Sequence, residues 1–306
     1  MNKNLSRGDT VDNNSRSVVN QILADIESQK IAAEWDFSSR QTTLGGALTF
    51  RCELEMLARL SGKEHVYVNY LNLEQDKKYE KLITGALKAS KIDFKISRLN
   101  TKGATYPKTL MTSLGDYSFF STSRITYINS IYNSQPILKW KDDFDSALKI
   151  KEIIDGEDYA VIHLKNIGSY EESRADMRTW IPLISEISSS TSLLLLLLGD
   201  DEYPEELLQI KRIIHLKKYS IPLMTQLSFA SRAQFFVGSA SGMATTAIYS
   251  DVPYMIFKNP MHHVSEMKQE IKDANRFPWA GNNQFILREN PSMSHIQHFI
   301  SELSTR

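Results

Sequence analysis

Apolar residues recur at helical spacing from Val18 to Ile31 (VVNQILADIESQKI), and the apolar-aromatic segment Ala32 to Phe37 that follows reads as a strand ending near Asp36. After a turn-like SSRQTT run, Leu44-Gly45-Gly46 opens a helix predicted over Ala47 to Leu60, with apolar positions at Leu48, Cys52, Leu54, Leu57 and Ala58 and a stop at Ser61-Gly62. The alternation then predicts a strand at His65–Leu71, a helix at Tyr79–Ala89 and a strand at Ile92–Ile96. From Tyr106 to Trp140 the pattern is irregular and assigns no element.

The second half alternates more cleanly. Strands are predicted at Tyr159–Leu164, Ser192–Leu198, Ile213–Leu216, Phe235–Gly238 and Tyr254–Phe257. Helices fall between and after them at Met177–Ile187, Glu205–Ile210, Ile221–Ala230, Gly242–Tyr249 and Pro291–Leu303. The leucines from Leu193 to Leu198, closed by Gly199-Asp200, lack polar alternation, as a parallel strand buried on both faces does. Parallel strands need helical crossovers, so this order specifies an α/β protein with doubly wound, Rossmann-like parallel sheets. The charged stretch KWKDDFDSALKIKEIIDGED suggests a domain boundary. The expected organisation is a disordered leader over 1–16, one Rossmann-like domain over 17–150 and a second over 151–306, whose last helix could pack back on the first domain. No repeat of 20–50 residues and no low-complexity tract is present.

Composition narrows the class. The 306 residues are 42% hydrophobic and 24% charged, close to a globular average and suited to two domains, which excludes fibrous, disordered and disulfide-scaffold proteins. The one cysteine, Cys52, cannot form an internal disulfide or a Cys-rich zinc site, which fits a reducing, cytoplasmic compartment. Lys+Arg and Asp+Glu both number 36, which argues against a nucleic-acid binder working by phosphate neutralisation. Residues 1–150 hold 21 Lys/Arg against 17 Asp/Glu, a mild excess compatible with an anionic ligand or peripheral membrane association. The polar N-terminus has no apolar h-region, and no apolar run approaches the ~20 residues of a spanning helix.

The segment with most chemical content is Gln234 to Pro260, QFFVGSASGMATTAIYSDVPYMIFKNP. A buried strand ends in Gly238-Ser239-Ala240-Ser241-Gly242, and a helix of small residues is predicted at once, including Met243 in its first turn. Small side chains admit a ligand to the backbone, and a helix start offers unsatisfied N–H groups and a positive dipole end. The competing reading is a plain strand-to-helix turn capped by serine. Neither GxxxxGK[ST] nor GxGxxG is present.

This strand, SG loop, helix and DVPYMIF strand resemble the C-terminal domain of GT-B-fold glycosyltransferases, especially the heptosyltransferase-like group. Val161-Ile162-His163-Leu164, the polar loop from Lys165 to Arg178 and Trp180 resemble that group's opening strand, phosphate loop and "rkrWp" segment, and Gly199-Asp200 its next strand end. The resemblance covers about residues 157–260. It implies two Rossmann-like domains facing a cleft, and a metal-independent glycosyltransferase of cell-surface polysaccharide synthesis with no cofactor beyond its nucleotide-sugar donor. The donor would lie on the C-terminal domain and a glycan or glycolipid acceptor on the N-terminal one. The chain departs from the pattern where Ala240 replaces the loop acid and Thr245 the histidine after the glycine, and the first half lacks a clear "GD" loop. Two other readings therefore stand beside it: a nucleotide-sugar epimerase or hydrolase of the same fold, and a catalytically degenerate glycosyltransferase-like binding protein.

Candidate roles follow. Lys165 with Arg174 or Arg178 could neutralise a donor diphosphate, together with Gly238, Ser239, Ser241, Gly242 and Met243 of the loop. His163, Gly199, Asp200, His262 and Glu266 are donor-pocket candidates. His163 lies on a strand expected to be buried, where a satisfied core histidine is the simpler reading, and Glu266 could hold ribose hydroxyls or be a surface charge. Adjacent His262 and His263 do not share a face, which disfavours metal ligation by the pair. The segment from Arg276-Phe277-Pro278-Trp279 to Asn283-Gln284 reads as a loop or crossover. Gly45 and Gly46 would form the acceptor-side loop. Among the acids near that turn, Glu34, Asp36 and Glu53, Asp36 at its strand end is the base candidate, while Glu53 reads as a surface acid.

Overall fold

The computed structural model describes residues 7–36, 43–71, 77–99, 123–141, 144–166, 174–261, 271 and 275–304. The chain divides into two compact units, Met1–Lys141 and Asp142–Arg306.

In the first unit, α1 (Arg7–Glu27) is followed by β1 (Ile31–Asp36), α2 (Leu44–Ser61), β2 (His65–Leu71), α3 (Lys77–Lys88), β3 (Asp93–Leu99) and α4 (Ser123–Tyr132). The three strands pair in parallel in the order β1-β2-β3. Val19, Ile22 and Ile26, spaced three and four apart, form the buried face of α1. The helix begins at Arg7, eleven residues before the first apolar repeat and inside the stretch expected to be disordered, because a helix nucleated by a packed face adds polar turns at little cost. Thr43 caps α2 by accepting from the Gly46 amide at 3.1 Å, and Gly62 closes it at φ 66°, a conformation glycine adopts without strain.

α2 is buried on every face from Gly45 to Ala58, and that burial includes charge. Arg51 and Glu55 pair at 2.6 Å with no exposure of either side chain. Glu53, expected at the surface, is 1% exposed and is held by Arg124 through Nε–Oε1 and Nη2–Oε2 contacts of 2.6 and 3.3 Å. Periodicity places Glu53 on a helix but cannot reveal that α4 brings a guanidinium to it.

The second unit runs α5 (Phe144–Ile154), β4 (Tyr159–His163), α6 (Met177–Ser190), β5 (Leu194–Leu197), α7 (Glu205–Leu208), β6 (Ile213–His215), α8 (Leu223–Ala230), β7 (Phe236–Ser239), α9 (Thr245–Ile248), β8 (Tyr254–Phe257), β9 (Gln284–Leu287) and α10 (Met293–Ser304). α5 lies within the charged stretch that runs from 139 to 158. Six parallel strands lie in the order β6-β5-β4-β7-β8-β9, with the sheet reversing direction of growth between β4 and β7. This is the doubly wound dinucleotide-fold order, whose ligands sit outside the strands' carboxyl ends at the reversal.

The leucine strand β5 is fully covered, as its lack of alternation implies. Trp180 of α6 packs on Phe257 at 5.5 Å, and Phe299 of α10 on Phe235 at 5.7 Å, both edge to face. The last helix therefore belongs to the core of its own unit, where Ile296 and Phe299 are buried. β9 begins at Gln284, the last residue of the segment expected to be loop or crossover. Its four residues are flanked by turns and are too few for a periodic signal, but the pairing of Tyr254–Phe257 with Gln284–Leu287 is regular. No helix among the described residues is long and apolar enough to cross a membrane.

Candidate functional site

The reversal point brings together the ends of β4 and β7, and with them most of the second unit's candidate residues. His163 is in register with Gly238. A Cβ on Gly238 would lie 2.0 Å from the His163 carbonyl oxygen, so the close approach of these strands requires glycine. One residue further, the Lys165 amide donates to Ser239 Oγ at 2.7 Å, tying the two loops together across the switch point.

The GSASG loop differs from expectation in its helix. A turn over Gly242 to Ala244 leads into α9, which has four residues rather than the eight of Gly242–Tyr249. Ser241 Oγ accepts from the Met243 and Ala244 amides at 3.1 and 3.2 Å, occupying N–H groups that a ligand was expected to meet. Ser241 therefore caps the turn. A run of small residues contains no clue to where the helical turns begin, so the sequence alone predicts the longer helix. Ala240 continues the ladder, its amide donating to the Phe257 carbonyl at 2.8 Å. Ser239, Ser241, Gly242 and Met243 stay at the carboxyl edge of the sheet.

His163 is buried, and its Nδ1 donates to the Leu198 carbonyl at 3.3 Å, a bond that carries the proton on Nδ1. Burial pushes its pKa below the ordinary histidine value, partly opposed by that bond and by Asp201. Gly199 adopts φ 97°, and an added Cβ would meet Met243 Cε at 3.1 Å and His163 Cε1 at 3.6 Å, so the β4, β5 and β7 ends converge on one spot. The Gly199 amide donates to Gln226 Oε1 at 2.9 Å, and Gln226 Nε2 to the Ile221 carbonyl at 2.9 Å. Gln226, 1% exposed, holds the turn after β5, and a lone amide in the apolar segment LMTQLSFA is the signal that could have revealed it.

Lys165 is half-buried, which lowers its pKa, while Asp201 raises it and Arg174 lowers it further. Lys165, Arg174 and Asp201 thus share one electrostatic neighbourhood beyond β4. Asp201 Oδ2 accepts from the Asn166 amide at 2.9 Å. Arg178 is turned away to Asp176, the N-cap of α6, at 3.3 Å. The Asp200 carbonyl accepts from Lys217 Nζ at 2.8 Å. His215, in register with Leu197 at the β6 end, is buried, and its Nε2 has no hydrogen-bond partner among the described residues. At the β8 end, Lys258 is 5% exposed, a cation immediately after an apolar strand that sequence reading did not single out.

In the first unit, Gly45 and Gly46 are buried in the opening turn of α2, with the Gly46 amide already given to Thr43. Asp36 is the last residue of β1, in register with Leu71. Glu34 is buried two residues earlier on the same strand. His262 and Glu266 lie outside the described residues, as do 37–42 and 167–173. Among the described residues no group of three or more His, Cys, Asp or Glu could hold a metal ion.

No family model and no curated protein matches the sequence. Solved structures do match, and those neighbours are glycosyltransferases. The glycosyl transferase family 9 protein from Veillonella parvula DSM 2008 superposes with a TM-score of 0.50 at 12% identity, covering 88% of each chain. E. coli heptosyltransferase WaaC with ADP matches at 0.44 and 11% identity, over 89% of this chain and 99% of that one. The dodecameric iron-containing heptosyltransferase TibC of enterotoxigenic E. coli, in complex with ADP-D-beta-D-heptose, matches at 0.45 and 10% identity, over 89% and 76%. The first of these likenesses shows that the chain shares the Rossmann-like α/β fold of that protein.

Proposed function

We propose that the protein is a glycosyltransferase of GT-B type that takes a nucleotide-sugar donor on its C-terminal unit and a glycan or glycolipid acceptor on its N-terminal unit. The observation that carries this reading is the position of the GSASG loop at the reversal of a β6-β5-β4-β7-β8-β9 sheet, beside the Lys165 and Arg174 cations. Donor diphosphate would lie over the β4 and β7 ends, with Lys165 and Arg174 neutralising it and the loop's small residues letting it reach the backbone. Because Ser241 spends its lone pairs on the turn, the charge falls chiefly to the cations rather than to a helix start.

Asp36, at the end of β1, is the residue we assign as base for the acceptor hydroxyl. The transfer proceeds without a metal and serves a cytoplasmic step of cell-surface polysaccharide synthesis. A thermal-shift screen against UDP, GDP, ADP, CDP and CMP and their sugar conjugates tests the reading. A ligand at ~100 times its dissociation constant stabilises the folded state by about 2.7 kcal/mol. One nucleotide should stand out, and Lys165→Ala should abolish its shift; a flat response to all of them would overturn the reading. Consumption of the conjugate without acceptor would instead identify an epimerase or hydrolase. One observation favours a second reading, a binding protein without turnover: Ala240 and Thr245 stand where the resembling family has the acid and histidine that help seat its donor. Nucleotide-sugar binding with no transfer to any glycan would select it.

A further inference from the structure

The start of α10 sets a nucleophile, an imidazole and a carboxylate in a line. Glu289 follows the end of β9, and Ser292, Ser294 and His295 occupy the turn in which the helix begins. Ser292 Oγ lies 2.8 Å from His295 Nδ1, and on the far side of the ring Nε2 lies 3.4 Å from Glu289 Oε1. An ionised carboxylate only accepts, so Glu289 keeps the imidazole proton on Nε2 and leaves the Nδ1 lone pair to the Ser292 hydroxyl. Ser294 Oγ, 2.9 Å from Ser292 Oγ, then donates to it.

A serine at a helix start ordinarily caps it, as Ser241 does by accepting from the Met243 and Ala244 amides. Ser292 does not: among the described residues its Oγ meets Ser294 and His295 and accepts from no amide. The first-turn amides of α10 have no partner within the helix. The Met293 amide, next in sequence, stands where a serine nucleophile at a helix start finds its oxyanion donor. The His295 ring rests 5.5 Å from Phe257, which Trp180 packs in turn, so the base is anchored on the core. Its side chain is still 27% exposed, open to a substrate.

Nucleophile, base and orienting carboxylate within reach of one another are the parts of acyl transfer. We propose that Ser292, His295 and Glu289 form a second site, which hydrolyses activated acyl esters through an acyl-serine. Ser292 Oγ attacks the acyl carbonyl as its proton passes to His295 Nδ1. The tetrahedral oxyanion collapses, the bond to the leaving alcohol breaks, and the alcohol departs with that proton. Water then attacks the acyl-serine and gives a proton to Nδ1, which returns it to Ser292 Oγ as the carboxylic acid leaves. Glu289 touches no reacting atom and positions the ring. None of the three belongs to the donor site, so this activity stands or falls apart from glycosyl transfer.

The test treats the full chain with p-nitrophenyl acetate and, separately, with a fluorophosphonate, which labels activated serines. Expected are a burst of p-nitrophenolate followed by steady release, and a phosphonyl group on the peptide that contains Ser292. Ser292→Ala should abolish burst and label, and His295→Gln should slow acylation about a hundredfold. Glu289→Gln should lower kcat at unchanged KM. His298→Gln alters an exposed histidine on the same helix, paired with Glu302, and should change nothing. Labelling of the unaltered chain decides the matter even where a variant fails to fold, and a chain that takes no label on Ser292 would overturn the proposal. So would a burst that survives Ser292→Ala, or a kcat unmoved by Glu289→Gln. Hydrolysis that His298→Gln lowers as much as His295→Gln is the work of surface histidines, and it too would overturn the proposal.

Discussion

Gly238 is the residue on which the second unit's geometry depends most directly, because a methyl there would sit 2.0 Å from a backbone oxygen that has no rotamer to yield. Gly238→Ala should cost at least about 3 kcal/mol in urea unfolding, since β4 and β7 must part to admit it; a loss below about 1 kcal/mol would show that the strands can separate cheaply. His163, its register partner, makes a prediction in pH. Its folded pKa lies below the unfolded value because burial disfavours the cation, so the unfolded chain takes up the proton first as pH falls. The stability it contributes is fully present above pH 6.5 and is lost as pH drops toward the lowered folded value, at up to about 1.4 kcal/mol per pH unit. His215 shifts in the same direction, so His163→Gln should flatten only part of the decline seen by urea unfolding between about pH 7.5 and 5.5. Identical slopes in the two proteins would remove His163 from the account. At this scale, the sequence shows the small-residue turn after Phe235–Gly238, but not why Gly238 must be glycine, since the carbonyl that requires it belongs to His163 on another strand. The same holds where Arg124 reaches Glu53 across 71 residues.

Among the elements, legibility followed length and burial. β2 and β8 match the predicted His65–Leu71 and Tyr254–Phe257, and the leucine strand differs only at its ends, since seven or fewer apolar residues between turns leave one reading. β9, α7 and α9 have four residues each, less than the window over which a period can be recognised, so their bounds depend on pairing and capping instead. α2 shows how an element can recruit chain that has no period of its own. Arg51, Glu55 and Arg59, spaced by four, hold the irregular segment after α4. Arg59 donates to the Gln135 and Ile137 carbonyls and Arg51 to that of Lys139, while Glu55 Oε2 accepts the Lys139 amide at 2.8 Å. Arg51 also lies 4.1 Å from the Trp140 ring centroid. Glu55→Gln would leave the buried Arg51 charge uncompensated and should cost about 3–5 kcal/mol. Its distinguishing readout is hydrogen exchange: the Lys139 amide should lose protection while β5 amides keep theirs beyond what lower global stability explains. Unchanged protection at Lys139 would mean that the segment holds its place without α2.

At the scale of the chain, the decisive fact is that the second unit's apolar cluster, among the described residues, draws on β4, β5, β7, β8, α6 and α10, all after residue 142. Phe299, 1% exposed, covers Phe235, and Ile296 is fully buried, so the last helix is part of the sheet's cover rather than an appendage. Residues 142–306 expressed alone should therefore unfold in one cooperative urea transition, and 142–290 should not, because removing α10 exposes two large apolar side chains worth about 1.5–3 kcal/mol each together with the surface they protect. The same fragment separates the unit's two roles. If the donor is held by Lys165, Arg174 and the GSASG loop, residues 142–306 should bind the nucleotide that the full chain selects, with an affinity within about a factor of ten, since none of those groups lies in the first unit. It should transfer no sugar, lacking Asp36. A fragment that folds cooperatively yet binds no nucleotide recognised by the full chain would place part of the donor site on the first unit, and the division of labour drawn from the sheet order would fail.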